Sequence, residues 1–198
     1  MKKVLALVFV SMLFVGDVLA IEPIKLLQPQ KDIGKSLMEV ISSRRTVREF
    51  SNKPMDLQTL SNLLWATYGI SSKDGKRTIP TAKNKQNLKV YALLESGSYF
   101  YDAKANVLKP VSDGDVREKS GGQSNLLKNA AVVLVYVEEK GDRYNMFNTG
   151  AAAQNAYLFA TSEGLNALAI GSFHDEVLIK ALNISHDEQV TLIQPIGK

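Results

Sequence analysis

Arginines are concentrated in one short stretch of the chain, residues 44–50, which reads RRTVREF. Arg44, Arg45 and Arg48 carry fixed positive charge and forked N–H donors, and Thr46 adds a hydroxyl between them. This combination of charge, paired donors and short polar contacts is what binds a phosphate monoester. A solvated turn, in which the arginines bond the last carbonyls of a preceding helix, would use the same residues. The stretch alone leaves both interpretations open.

Few side chains elsewhere are suited to other chemistry. The chain has no cysteine, which excludes thiol nucleophiles, thiolate metal sites and disulfides. Its two histidines, His174 and His186, disfavour a histidine-rich metal site. The sequence contains no G-x-S-x-G, Walker or G-x-G-x-x-G motif, which argues against serine hydrolases, P-loop enzymes and Rossmann dinucleotide binding. We therefore predict that the protein holds no metal.

The distribution of charge also points to an anion. The chain has 198 residues, 45% of them hydrophobic and 22% charged, as expected for a globular domain. Residues 21–110 hold fifteen basic and eight acidic residues, whereas residues 111–198 hold seven and eleven. The basic residues are not interleaved with aromatic ones, so we do not expect a nucleic-acid partner. The phosphate of a small cofactor explains the basic half better.

Hydrophobic periodicity predicts the elements that must position the arginines. It indicates an α+β domain with a mostly antiparallel sheet of four or five strands flanked by helices. The first predicted helix covers residues 32–43, with Asp32 as its N-cap. Pro54 and Asp56 begin a second helix, which ends at Gly69 in a left-handed conformation. Further helices are predicted over 144–163 and 175–182, and part of 113–127 is also predicted to be helical. The predicted strands are 88–94, 131–137, 165–172 and 189–193, with a hairpin over 99–111 and a polar loop over 71–86.

The N-terminus resembles a secretory signal. Lys2 and Lys3 precede an apolar run from Val4 to Val15, and Val18 and Ala20 are the small residues of a cleavage site. Cleavage after Ala20 leaves residues 21–198 as a single exported domain, periplasmic if the source is a bacterium. An uncleaved N-terminal anchor is the alternative. The absence of cysteine excludes a lipoprotein.

Several motifs together resemble the nitroreductase superfamily of flavoproteins. The stretch 44–50 is similar to the R-R-S-x-R-x-F signature of that family, and residues 80–86, PTAKNKQ, resemble its P-S-[SA]-x-N-x-Q loop. Residues 150–155 and 163–167 resemble the opening and the exit of its long helix, and residues 194–197 its closing strand. The resemblance covers residues 36–198. Its middle part, around Tyr99–Asp102, Gly114–Arg117 and Gln123, is closest to the SagB-type branch, which includes flavin oxidases of azoline rings.

The resemblance implies an FMN-binding oxidoreductase that forms an intertwined homodimer with the flavin at the subunit interface. Its matching positions assign Arg44, Arg45, Thr46 and Arg48 to the phosphate and ribityl chain. They assign Pro80, Thr81, Ala82 and Asn84 to a loop against the flavin, often from the partner subunit. Glu163 and Gly164 match the turn whose backbone amides approach the ring, and Lys198 would be a further cation for the phosphate.

Hydride chemistry would then belong to the flavin, so no catalytic side chain is required. We expect ping-pong turnover with a small organic substrate, namely a nitro compound, a quinone or an azoline-like heterocycle. NAD(P)H is one candidate donor. A periplasmic or membrane electron donor is the other, because NAD(P)H is scarce outside the cytoplasm. The alternative function is a non-catalytic binding protein that keeps the same fold for another ligand.

Overall fold

A seven-stranded sheet with helices on both faces makes up residues 21–198, the part of the chain that the computed structural model describes. The expected signal sequence, residues 1–20, lies outside these residues. The strands are β1 (Ile24–Lys25), β2 (Lys89–Leu94), β3 (Gly97–Asp102), β4 (Val107–Asp113), β5 (Val132–Glu139), β6 (Asn166–Ala167) and β7 (Glu188–Gly197). The helices are α1 (Leu37–Ser43), α2 (Leu57–Tyr68), α3 (Ser124–Asn129), α4 (Asn145–Ser162) and α5 (Asp175–Leu182), with short 3-10 turns at Ala82–Asn84 and Glu118–Ser120.

The sheet has the order β1-β4-β3-β2-β5-β7-β6, and every neighbouring pair is antiparallel. β5 is an interior strand between β2 and β7, and its residues Val132–Val137 are fully buried. Alternate β5 side chains point to opposite faces of the sheet. Leu134 and Tyr136 pack with α2 and α4, whereas Val133 and Val135 pack with α3 and α5. The α+β class with a mostly antiparallel sheet is confirmed.

The predicted number of strands was wrong. Five long strands are present, and two further strands of two residues each, β1 and β6, extend the edges to seven. Two residues are too few to produce a periodic pattern. The strand predicted over 165–172 is reduced to β6 and an isolated bridge between Ile170 and Ile193. Pro195 of β7 faces this segment and has no N–H to donate, so the ladder is interrupted there.

Two predicted helix ends were also wrong. The helix expected from residue 32 begins only at Leu37, with Ser36 as its N-cap, because Gly34 adopts φ +86° and cannot continue a helix. Asp56 is confirmed as the N-cap of α2, where its Oδ1 accepts from the Thr59 N–H at 2.9 Å. Gly69 ends α2 in an extended conformation rather than a left-handed one. Within residues 21–198, no helix has both the length and the apolar character needed to cross a membrane.

Candidate functional site

The arginine stretch runs beside β6, at the C-terminal end of α4. α1 ends at Arg44, whose N–H donates to the Val40 carbonyl at 2.9 Å. The chain then leaves in an extended path, because the Val47 N–H donates to the Ala167 carbonyl at 3.0 Å. Asn166 Nδ2 donates to the Glu49 carbonyl at 2.9 Å. These two bonds hold residues 44–50 against the exit of α4.

Two side chains of the stretch meet one tyrosine of α4. The Arg44 guanidinium carbon lies 5.1 Å from the centre of the Tyr157 ring, and Thr46 Oγ1 lies 3.3 Å from the Tyr157 hydroxyl. That hydroxyl also accepts from the Ala169 N–H at 2.6 Å. Tyr157 is buried. Its role could not be predicted from the sequence, because an aromatic residue in a long helix is most often part of the core. Tyr157 therefore holds the Thr46 hydroxyl and the Arg44 guanidinium in position.

The three arginines are used differently. Arg45 Nη1 donates to the Ser42 and Arg44 carbonyls at 3.0 and 2.8 Å, so this residue behaves as the helix-end arginine of the alternative interpretation. Arg48 is exposed, and Arg44 is half-buried on the tyrosine ring. Among residues 21–198, no carboxylate forms an ion pair with Arg44, Arg45 or Arg48. Arg44 and Arg48 therefore keep their charge available for an anion.

The exit of α4 and the end of the chain complete this region. Gly164 ends the helix with φ +66°, which glycine adopts without strain. The Glu163 and Gly164 N–H groups donate to the Phe159 and Thr161 carbonyls at 3.0 and 3.3 Å. The Ser51 N–H donates to the Lys198 carbonyl. Glu163 and Lys198 line the same cavity of about 280 Å³.

The 80–86 loop is anchored near the opposite end of α4. The Ala82 N–H donates to Asn148 Oδ1 at 3.2 Å, and Lys85 Nζ lies 2.6 Å from Asp142 Oδ2. The hydrogen bond from Lys85 holds the pKa of Asp142 below its ordinary value. The Thr81 hydroxyl accepts from the Gln86 backbone N–H, and Asn84 Oδ1 accepts from Gln86 Nε2. The half-buried Thr81 and Ala82 and the exposed Pro80 and Asn84 therefore form one self-bonded loop.

A single chain does not bring all the predicted residues together. Asn148 and Glu163 are fifteen positions apart on and just after α4, which corresponds to about 22 Å along the helix axis. Arg44, Thr46, Glu163 and Gly164 therefore belong to one end of α4. The loop belongs to the other end.

A larger cavity, which the sequence did not predict, lies along α2 and α4. Its volume is about 500 Å³, and its walls include Trp65, Asn155, Phe159 and Glu163. Trp65 is half-buried, and its Nε1 donates to the Ile70 carbonyl at 3.0 Å. Trp65 therefore lines the cavity while its indole N–H stays bonded to the backbone just beyond α2. Among residues 21–198, no group of three or more histidine, aspartate or glutamate side chains could hold a metal ion.

Comparison with known proteins gives a consistent result. A family model described as the nitroreductase family matches residues 41–198. A protein of Methanocaldococcus jannaschii that carries the name of a nitroreductase is 29% identical over 181 residues, which cover 82% of this chain and 90% of that protein.

Solved structures agree with this match. The crystal structure of a protein from Ralstonia eutropha JMP134, described as a nitroreductase, superposes with a TM-score of 0.81 at 30% identity, covering 90% of this chain and 92% of that one. A protein described as an oxidoreductase containing FMN superposes with a TM-score of 0.62 at 18% identity. It covers 86% of this chain and 79% of the other, and at this identity it shows the shared fold alone.

Proposed function

This chain belongs to the nitroreductase family, and from that premise we propose that it is an FMN-dependent oxidoreductase. One observation carries the proposal. Arg44 and Arg48 lie on a segment bonded to the exit of α4, without carboxylate partners among residues 21–198. Cations left unpaired beside polar donors favour a phosphate, because each charge-assisted contact is about twice as strong as a neutral one. The fold shared with an FMN-containing oxidoreductase supports the same cofactor.

The residues present fit FMN. Arg44, Thr46 and Arg48 would hold the phosphate, with Arg45 closing the helix end behind them. Lys198 would add a further positive charge from the end of the chain. The turn at Glu163 and Gly164 would lie against the ring, and bound FMN would supply the hydride chemistry. The work of the protein is then binding, orientation and exclusion of water.

A second copy of the chain would complete the site. The loop of Pro80, Thr81, Ala82 and Asn84 is held about 22 Å from the exit of α4 in its own chain, measured along the helix. A homodimer would bring the loop of one subunit to the arginines of the other. Exposed apolar side chains on α1 (Leu37, Met38 and Ile41) and at the start of α4 (Met146 and Phe147) support burial against a partner.

The substrate is proposed to be a small organic molecule. The cavity of about 500 Å³ has the size of small-molecule sites, and its aromatic walls suit a nitro compound, a quinone or an azoline-like heterocycle. The residues that resemble the SagB-type branch favour the heterocycle. Donor and acceptor would use the pocket in turn, which gives ping-pong kinetics. NAD(P)H is the first donor to assay, followed by a periplasmic or membrane donor if the protein is exported.

The visible absorption spectrum of the purified protein tests the cofactor directly. We expect flavin bands with a protein-shifted shape, or their appearance on addition of FMN. A protein that stays colourless and does not bind FMN would favour the non-catalytic binding function instead.

The arginines can be tested by a double substitution, Arg44→Ala with Arg48→Ala. Each lost charge-assisted contact corresponds to roughly ten- to a hundredfold in affinity, so FMN binding should fall by two orders of magnitude or more. Lys104→Ala with Lys180→Ala removes the same charge at exposed positions elsewhere and serves as the control. Equal FMN affinity in the arginine variant and the wild type would reject the assignment.

A further inference from the structure

A carboxyl group is buried near the end of β5, behind the 80–86 loop. Glu138 has no exposed surface, and its Oε1 has no hydrogen-bond partner. Burying a carboxylate costs free energy unless it is paired, so a core residue with this side chain requires an explanation. Glu139, the next residue, is exposed and offers the same group to solvent.

One contact connects Glu138 to the loop. Its Oε2 accepts from Asn148 Nδ2 at 3.5 Å, and Asn148 Oδ1 accepts from the Ala82 N–H at 3.2 Å. Asn148 is itself 2% exposed, so water does not compete for either atom. A chain of two hydrogen bonds therefore runs from the buried carboxyl group to the backbone of the loop.

The carboxyl group determines which way the Asn148 amide points. An asparagine side chain has one oxygen that accepts and one nitrogen that donates. With an acceptor at Glu138, the nitrogen turns inward and the oxygen faces Ala82. A flipped amide would direct its NH₂ group at the Ala82 N–H, and the bond to the loop would be lost.

The loop needs such an anchor because its backbone is unfavourable. Lys83, Asn84 and Gln86 have φ between +51° and +54°, a conformation that non-glycine residues adopt only when their surroundings enforce it. The other side-chain link to the start of α4 is the ion pair of Lys85 with Asp142, in which the lysine is exposed. The Asp142 side chain is largely covered, but the exposed lysine is solvated and flexible, so this pair alone holds the loop weakly.

We infer that Glu138 is a positioning residue for the loop, acting through Asn148 on the Ala82 backbone. The inference rests on the proposed function in one respect only: if the loop contacts FMN, then Glu138 tunes flavin affinity from behind it. The anchoring itself is a property of the flavin-free chain.

Protonation of Glu138 should modulate the anchor near neutral pH. Burial, with the nearby charges of Asp142 and Glu139, raises the pKa of Glu138 to about 7, while Asn148 and Lys85 oppose this shift. Tyr68 also faces the carboxyl group, and its own pKa is raised to about 12 by burial. An ionised carboxylate accepts more strongly from the amide than a neutral carboxyl does. The loop should therefore be held more tightly at pH 8 than at pH 6.

Hydrogen exchange of the loop tests the anchor without flavin. In the apo-protein, Glu138→Leu removes the acceptor, and the peptide covering residues 79–88 should exchange about three- to tenfold faster, which corresponds to the loss of one hydrogen bond. Glu138→Gln keeps an acceptor and should match wild-type exchange at pH 6, where the carboxyl group of the wild type is mostly neutral. Glu139→Gln, the control, should change nothing. A purely structural role predicts the reverse for leucine, since an apolar replacement of a buried charge is often neutral or stabilising.

FMN affinity provides the second readout. Binding to Glu138→Leu should weaken about three- to tenfold while its melting temperature stays equal to or above that of the wild type. From pH 6 to pH 8 the wild type should gain more affinity than Glu138→Gln. The comparison between the two removes the contribution of the FMN phosphate, whose second pKa is near 6.

The outcomes separate the two proposals. Unchanged loop exchange in Glu138→Leu, or equal pH dependence of loop exchange in wild type and Glu138→Gln, overturns the anchor. The second comparison needs no leucine variant and holds if that variant fails to fold. A loosened loop in a protein whose wild type binds no FMN supports the anchor and rejects the proposed cofactor.

Discussion

The two ends of α4 are built on opposite principles. At its C-terminal end, Arg44 and Arg48 keep unpaired charge on an extended segment, and few bonds hold them. At its N-terminal end, the 80–86 loop is bonded to Asn148 and Asp142, and its backbone is strained at Lys83. The C-terminal end, called the charged end below, therefore presents free cations to a ligand. The N-terminal end, called the loop end, holds the 80–86 loop in one conformation.

Under the proposed function, one helix would serve two half-sites. Arg44 and Arg48 can attract and orient a phosphate, but they do not orient the rest of a flat ligand. A rigid loop orients a flat group but supplies little attraction. Under the proposed function neither half would be sufficient, and within one chain the length of α4 keeps them apart. A dimer that joins opposite ends of two copies would combine attraction with orientation.

The largest effect is expected from complementation between two inactive chains. We predict that Arg44→Ala with Arg48→Ala, and separately Thr81→Ala with Asn84→Ala, each bind FMN poorly as homodimers. Co-expressed, the two chains form mixed dimers in which one of the two sites has intact arginines and an intact loop. With random pairing, about a quarter of all sites should bind FMN like the wild type. Flavin absorbance per subunit measures this, and no recovery at all would mean that each site uses a single chain.

The pH dependence of stability tests Glu138, at the loop end of α4. Below its ordinary pKa of 4.5, Glu138 is neutral in both the folded and the unfolded protein. As the pH rises, the unfolded chain releases the proton first, because the folded pKa is raised to about 7. The wild type should therefore lose stability between pH 4.5 and pH 7, by about 3 kcal/mol relative to Glu138→Gln. Urea unfolding of both proteins at each pH measures the difference, and parallel curves would show that Glu138 has an ordinary pKa.

The sequence predicted the charged end of α4 better than the loop end. Arg44 and Arg48 can be recognised from the sequence alone, because charged residues that are close in the sequence are also close in the structure. Glu138 was missed because its role depends on Asn148, which lies ten residues away and on another element. The hidden role of Tyr157 depends likewise on a contact with Thr46, 111 residues earlier.

In the fold, too, local patterns were predicted and features that depend on distant contacts were not. A segment with clear helical periodicity, such as α5 (Asp175–Leu182), was predicted to the residue. The two-residue strands β1 and β6 were not, since only their partners in the sheet define them. Gly34 moved the start of α1 by its backbone conformation, which composition does not encode.

A single backbone position tests the turn at the charged end. Gly164 has φ +66° and no atom within 4 Å of where a Cβ would lie, so alanine meets a conformational cost but no clash. Gly164→Ala should lower the free energy of unfolding by about 1–2 kcal/mol. Gly171→Ala is the matched control, since it too has open space around it and no positive φ. Equal unfolding curves for the two variants would mean that the turn relaxes to another conformation.

The smallest expected effect compares one substitution at both ends of α4. Tyr157→Phe keeps the ring beneath Arg44 but leaves the half-buried Ala169 N–H without its 2.6 Å acceptor, so the free energy of unfolding should fall by about 1 kcal/mol. Tyr144→Phe also keeps a ring beneath an arginine, Arg143 at 5.0 Å, but no hydrogen bond among residues 21–198 uses the Tyr144 hydroxyl.

Tyr144→Phe should therefore change unfolding by less than about 0.5 kcal/mol. Urea denaturation of both variants measures the difference. If the two cost the same, the hydroxyl of Tyr157 does not organise the charged end, and the position of Thr46 would depend on the bonds from Val47 to Ala167 and from Asn166 to Glu49.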